Sequence, residues 1–530
     1  MSWMKSRAML LAIAGIAAVV LIGGPASAAP GGAGWNSAGG DRSNTRHAAS
    51  ESKISPATVA DLSLKWVLNT GGDVSATPAV DGDRVYVPDW AGNLYAVDRS
   101  TGAVVWQRQI EDYTGVPRDA SRTSPAFTDT TLVIGDKGAT SNADGSPSLG
   151  NGGRVIAVDK QTGDVRWVTQ VETHFAAVIT QSPTIFDGVV YVGVSSVEEG
   201  LAGLIPGYEC CTFRGSLAAL DLETGAILWK TYMAPEGYPG ASVWGSSPAV
   251  DPKRGSVYVA TGNNYAIPAD ALACVEAAGD DPDAQQACLP PDDYFDAIVA
   301  LDMTTGAVKW VTRALPYDTW TWACLFGAPS CPTPTGPDYD FGQAPALFKV
   351  KNAGGGPREL LGAGQKSGQY WALDPATGAV VWVTDTGPGG INGGLQWGSA
   401  VDGKRVYTAN ANSDQVPYPT ASDPTTGIWS ALDAATGEIL WQTRPPNGGG
   451  ASGPATTANG VVFGCTNDAD GWMYALDAAT GEVLWSFESG GSCVSGAAIS
   501  NGMVFWGSGY GFYGGAFGTP SNKLYAFDLG

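Results

Sequence analysis

Chemistry in this chain has to come from carboxylates, amides, aromatic rings and cysteines. The 530 residues include two histidines, His47 and His174, too few to favour zinc ligation or Ser-His-Asp catalysis. No Gly-x-Gly-x-x-Gly follows a strand pattern and opens a helix, which argues against a dinucleotide fold. The sharpest signal is Cys210-Cys211, an adjacent pair that can bridge only through an eight-membered ring; two free thiols, or bridges to other cysteines, stay open. Near it in sequence stand Thr180, three residues before Pro183, and the run VGVSSVEEG with Ser195, Ser196, Glu198 and Glu199. Further on come Trp244 in SVWGSSPAVDP, Asn263 in YVATGNN, Asp318 in PYDTWTW and Lys366 in GAGQKSGQYW. Arg122 lies upstream of all of them.

These residues are strung along one repeat. The pattern apolar-x-Ala-apolar-Asp-x-x-Thr-Gly-x-x-x-Trp recurs, from LYAVDRSTGAVVW to MYALDAATGEVLW, with tryptophans at 106, 167, 229, 310, 382, 441 and 485. An eighth copy, LYAFDLG, stops before any tryptophan. Each copy reads as two strands joined by a tight turn in which Gly takes the positive-φ position. The Trp is a large flat side chain that fills the gap between neighbouring units. A second hairpin precedes each copy, as in SATPAVDGDRVYV, so the repeat unit is a four-stranded antiparallel blade. The expected fold is all-β: one eight-bladed β-propeller domain over residues 29–530. Leu62–Trp66 is expected to close the ring as the missing strand of the last blade, removing the open sheet edges.

Loop bookkeeping gives the ring a polarity. With strands A to D in each blade, the A–B and C–D connections share one face, while the B–C and D-to-next-A connections share the other. The short Asp-Gly and Thr-Gly turns fall on the first face. The long insertions 196–214, 262–296 and 314–340, with all eight cysteines, fall on the second. Binding residues concentrate on loops held by a rigid scaffold, so the site is expected there, over the central channel. Sequence proximity pairs Cys210–Cys211, Cys274–Cys288, Cys324–Cys331 and Cys465–Cys493, out of about 105 pairings that eight cysteines allow.

Lys5 and Arg7, an apolar run from Ala8 to Ile22 and the small residues Ala26-Ser27-Ala28 read as a secretory signal peptide over 1–28. The apolar run is too short for a membrane span in the mature chain. An even cysteine count fits an oxidising compartment, periplasmic or secreted. A formal net charge of −22 argues against nucleic acid as a partner; it serves solubility or attracts a cationic redox partner. No Cys-x-x-Cys-His occurs, so no c-type haem attaches to this chain and electrons would leave to a separate acceptor such as a cytochrome c.

In its Trp repeat, and from blades 2 to 5 in its candidate residues, the chain resembles the dehydrogenases dependent on pyrroloquinoline quinone (PQQ). In that family the quinone lies over the channel between a tryptophan and a disulfide of adjacent cysteines, and chelates a metal. The resemblance implies PQQ with Ca²⁺ or a lanthanide as cofactors. It casts Cys210–Cys211 and Trp244 as the two covers of the quinone, and Thr180, Ser195, Ser196 and Arg122 as partners of its acid groups. Glu198 and Asn263 become metal ligands, with Glu199 the rival of Glu198; a carboxylate with an amide oxygen is hard-ligand chemistry suited to Ca²⁺. Lys366 is implied to reach the reactive carbonyl. The family's Asp-x-Trp-Asp reads here Asp318-Thr319-Trp320-Thr321, which makes Asp318 the implied base, a further metal ligand, or both.

The cysteine pair interrupts blade 3 instead of preceding blade 2, and in this and in YECCTFRGSLAALD the chain looks more like polyvinyl alcohol dehydrogenases. The implied activity is oxidation of alcohols, secondary alcohols and polyvinyl alcohol included. Two rival readings share the repeat: a non-enzymatic scaffold like the outer-membrane assembly propellers, and a cofactor-binding propeller that has lost its base.

Overall fold

Short apolar strands separated by tight turns pair first with their sequence neighbours, because short loops cost least to close. The computed structural model describes residues 34–138, 152–351, 355–418, 426–511 and 518–530. In it such pairings build eight antiparallel sheets. The expected signal segment, 1–28, lies outside the described residues. Blade 1 consists of Ala79–Asp81, Arg84–Pro88, Asn93–Asp98 and Val104–Gln109, in that order from first to last strand. Blades 2 to 7 repeat the plan.

Blade 8 takes three strands from the C-terminal region, Ala498–Ser500, Met503–Ser508 and Lys523–Asp528, and its fourth, Ser63–Asn69, from near the start of the chain. Ser63 lies opposite Asp528 and Trp66 opposite Ala526. The ring is therefore an eight-bladed propeller closed by its N-terminal strand, and the closing strand runs on to Asn69.

The periodic Trp and the periodic Gly turn out to be one device. Six of the eight indoles donate their N–H to a carbonyl in the Thr-Gly turn of the following blade, among them Trp66 to Arg99 at 2.9 Å, Trp106 to Lys160 at 3.2 Å and Trp167 to Leu222 at 2.8 Å. Gly225, at φ +72°, shows the second constraint, since a Cβ on it would sit 2.6 Å from the Trp167 ring. The core is accordingly distributed between blades. One such cluster joins Val80, Val85 and Val97 of blade 1 to Phe505, Leu524 and Ala526 of blade 8 around Trp66.

The two faces differ as the loop bookkeeping expects. The insertions carry helices at Glu198–Leu204, Ala269–Ala278 and Pro282–Ala287. Four disulfides staple this face in the pairs that sequence proximity picks out.

Candidate active site

A cavity of about 500 Å³ opens on the long-loop face. Its walls come from connections distributed around the ring, from Arg122 before blade 2 to Tyr510 in blade 8, so it lies over the ring axis. A register runs through the wall. Arg122, Thr180, Trp244, Asp340 and Gln396 each stand four to six residues before the first strand of a blade, while Lys137, Ser195, Asn263 and Lys366 follow or end a second strand. The blade scaffold aims these positions inward whatever residue occupies them.

The connection from blade 4 to blade 5 supplies the acids. Asp318, expected as base, metal ligand or both, is fully buried and is not among the residues of the cavity wall. Its carboxylate accepts the backbone N–H of Asp338 at 3.2 Å and of Tyr339 at 2.8 Å, so it organises the turn that presents Asp338 and Asp340. Burial, with Asp340 nearby, pushes Asp318 up to about 6.

Asp340 is held from two sides, accepting from the Asn263 backbone N–H at 2.7 Å and the Trp244 indole N–H at 2.9 Å. Lys366 Nζ lies 2.9 Å from Asp338 and 3.1 Å from Asp340. Burial alone would lower the lysine, but Asp338, Asp340 and Glu199 outweigh it and hold the ammonium charged. Burial also pushes the Asp338 carboxyl well above the usual range. Asp338 and Asp340 lie outside the Asp318-Thr319-Trp320-Thr321 motif after blade 4, so no motif in the sequence marks them. The legible signal was their position just before the first strand of blade 5, one blade on from Trp244.

Blade 3 decides between neighbouring glutamates. Glu198 and Glu199 open one helix, where successive side chains diverge by about 100°. Glu199 lines the cavity and Glu198 does not. Instead Glu198 accepts from Tyr208 Oη at 2.8 Å and from the backbone N–H of Thr212 at 3.0 Å and Phe213 at 2.7 Å. Glu198, expected as a metal ligand, thus holds the segment bearing the adjacent cysteines, and its rival Glu199 is the one on the cavity wall. Burial, against the attraction of Lys366, pushes Glu199 up to about 8, with Asp340 and Asp318 adding repulsion.

Cys210 and Cys211 do bridge; they pack against the blade 3 cluster, which includes Phe213 and Tyr265, and are not among the residues of the cavity wall.

Asn263 lines the cavity. Its amide N–H groups donate to the carbonyls of Asn264 at 3.1 Å and Trp320 at 2.9 Å, which leaves Oδ1 as the open end. A basic corner completes the charged half. Arg122 lies 4.8 Å from the Trp397 ring centroid and Lys137 3.8 Å from that of Trp90. Burial and the neighbouring Arg122 lower Lys137 to about 7. Thr180, Ser195 and Ser196 line the same cavity, with Thr180 and Ser195 joined at 2.7 Å.

Fold and site together define a Trp-docked propeller with an acid-lined, lysine-bearing cavity on its axis. The family described as glucose/ethanol/alcohol dehydrogenase, beta-propeller domain, matches residues 178–388. The one described as outer membrane protein assembly factor BamB matches residues 32–205 and 367–529. The chain is 32% identical over 425 residues to a polyvinylalcohol dehydrogenase of Sphingopyxis sp. (strain 113P3), covering 77% of this chain and 58% of that protein. A polyvinylalcohol dehydrogenase of Pseudomonas sp is 29% identical over 515 residues, covering 90% of this chain and 73% of the relative. The quinohemoprotein alcohol dehydrogenase from Comamonas testosteroni superposes with a TM-score of 0.69 at 22% identity, covering 94% of this chain and 81% of that one. The chain belongs to the PQQ-dependent alcohol dehydrogenase family.

Proposed function

We propose that the cavity takes PQQ with a hard metal ion, and that the protein oxidises alcohols, secondary alcohols and polyvinyl alcohol among them. Electrons pass to a separate acceptor such as a cytochrome c, outside the cytoplasm. The observation that carries this reading is the charge pattern: Glu199, Asp338 and Asp340 all act on the one ammonium of Lys366, next to Trp244. Around Lys366 three acids meet one cation in a desolvated space, and burial raises Glu199 and Asp338 against ionising there; a bound metal ion would favour their ionised forms. Glu199, Asp340 and Oδ1 of Asn263 are the donors suited to it, and oxygen donors of this kind suit Ca²⁺ or a lanthanide. Trp244 offers the flat face for a quinone. Arg122 and Lys137, with the hydroxyls of Thr180, Ser195 and Ser196, suit its acid groups.

Bound PQQ would supply the carbonyl that accepts the hydride, and the ion a Lewis acid beside it. The chain's own residues do the rest. Asp338 keeps one carboxylate oxygen on Lys366 and offers the other to the substrate hydroxyl proton. Lys366 stabilises negative charge developing at its ammonium. Asp318 acts through the Asp338–Tyr339 backbone, whose N–H groups it holds.

The scaffold reading is weakened by where the matches fall. The assembly-factor match leaves out 206–366, which carries Trp244, Asn263, Asp338, Asp340 and Lys366, and the dehydrogenase match covers it. Among the described residues, no helix is long and apolar enough to cross a membrane. The test is reconstitution of purified protein with PQQ and Ca²⁺ or a lanthanide, followed by dye-linked oxidation of 2-butanol. Metal-dependent turnover is expected; no cofactor spectrum and no turnover would refute the proposal.

A further inference from the structure

A second, smaller chamber of about 50 Å³ adjoins the main cavity. Trp244 and Trp397, packed edge to face at 5.6 Å, line both spaces, as does Arg122.

The N-terminal segment supplies the charge of this chamber. Between Trp35 and Ala48 its backbone bonds in turn to the first strands of blades 1, 2, 4, 5, 6 and 7, at Val80, Phe127, Val250, Leu347, Val401 and Thr457. Arg46 of this segment lines the chamber and is 1% exposed. Its Nε donates to the Ala455 carbonyl at 3.0 Å, Nη1 to the Ala38 carbonyl at 2.8 Å and Nη2 to Thr77 Oγ1 at 3.0 Å. A guanidinium carries five N–H groups, so two remain after these three bonds. Among the described residues no carboxylate pairs with Arg46, and burial lowers it to about 9 with no acid to offset the cost. Glycines make its room: a Cβ on Gly496 would lie 2.0 Å from Arg46 Nη2, and one on Gly398 2.9 Å from its Cδ. A buried cation is normally paired, because an uncompensated charge is costly to desolvate.

Hydroxyls face the same chamber in a relay from blade to blade. Gly496 of blade 8 donates its backbone N–H to Thr77 Oγ1 at 3.2 Å, Thr77 donates its own to Ser124 Oγ at 2.9 Å, and Ser124 to Ser182 Oγ at 2.9 Å. Thr77, Ser124 and Ser182 occupy one register, each preceding the proline that leads into a first strand. All three are buried and line the chamber. Each oxygen is engaged as an acceptor, and among the described residues none of the three donates to a protein group. What these side chains have left is therefore three O–H groups, two N–H groups and one positive charge.

Such a set matches a guest that only accepts and is negatively charged. Water would bring protons of its own and no charge. The volume suits an ion of one or a few atoms. We propose that the chamber is an anion site for chloride, held by Arg46, Thr77, Ser124 and Ser182, and that the bound ion fastens the N-terminal segment to the ring. The site does not depend on what the main cavity binds.

Crystals of the full chain grown with bromide in place of chloride test this directly, with diffraction recorded at the bromine absorption edge. An anomalous peak between Arg46 and the three hydroxyls is expected. In solution, with ionic strength held constant by gluconate, the melting temperature should rise by about 1 °C per tenfold chloride once chloride exceeds its dissociation constant. Arg46→Met should abolish that dependence. Ser124→Ala, which keeps the cation and loses one donor, should weaken chloride about three- to tenfold. Water alone in the chamber of the bromide crystals, a melting temperature indifferent to the choice of anion, or an undiminished chloride response in Ser124→Ala would overturn the site. A bromide peak lost on loading with PQQ would overturn it as well, by giving the chamber to an acid group of the quinone.

Discussion

Replacing Asp338 and Asp318 one at a time separates the residue that handles the proton from the residue that aims it. Asp338 lines the cavity with one oxygen on Lys366 at 2.9 Å, whereas Asp318 lies behind it, on the backbone N–H groups of Asp338 and Tyr339. A general base contributes about 10² to 10⁴ in rate, or about 3 to 5 kcal/mol at 1.36 kcal/mol per decade. Asp338→Asn should therefore lower kcat by that range. Lys366 keeps Asp340 at 3.1 Å, and Glu199, Asn263 and Asp340 are untouched, so cofactor and metal should still bind. Asp318→Asn removes an acceptor and leaves the base in place. Its cost is displacement of the turn, and with misplacements of about 1 Å worth up to 10²-fold, a loss of about 10- to 100-fold is expected. The assay is dye-linked turnover at saturating alcohol, with the cofactor spectrum recorded on the same samples. An Asp338→Asn enzyme keeping more than a tenth of its kcat, or an Asp318→Asn enzyme more impaired than Asp338→Asn, would refute the assignment.

Glu199→Gln should weaken metal-dependent activation about tenfold or more, read as a shift in the metal concentration for half-maximal turnover. Glu198→Gln should leave that value within threefold and instead lower the urea midpoint, because the N–H groups of Thr212 and Phe213 lose an ionised acceptor. Lys137, lowered to about 7 from the ordinary lysine range near 10.5, must be protonated to hold an acid group. Affinity of the empty protein for PQQ should thus be level below about pH 7 and fall by up to about tenfold per pH unit above it; titration of Lys137→Met across pH 6 to 9 should show no such slope. Gly225→Ala meets a left-handed φ and the Trp167 ring together, so a loss of about 2 to 4 kcal/mol is expected from urea unfolding with an unchanged m-value.

Much of this molecule is written in its sequence. The Trp-Gly repeat, the closing strand with Trp66 and the division into a short-turn and a long-loop face all follow from local periodicity, because each blade forms from contiguous hairpins. The four cysteine pairs are legible as well, since the bridged residues lie at most 28 positions apart. Trp244, Asn263, Thr180, Ser195, Ser196, Arg122 and Lys366 all line the cavity because blade register aims them there.

Only the tertiary structure decided the acids. Glu198 and Glu199 are neighbours on one helical turn, and their spacing cannot say which meets the Thr212 and Phe213 N–H groups and which meets the cavity. Asp318 sits in the recognisable motif, yet a stapled insertion of some twenty residues returns the chain so that Asp338 and Asp340 come forward and Asp318 supports them from behind. Periodic strands encode their own partners locally, whereas a long loop's side chains are placed by contacts from other blades, which no local pattern records.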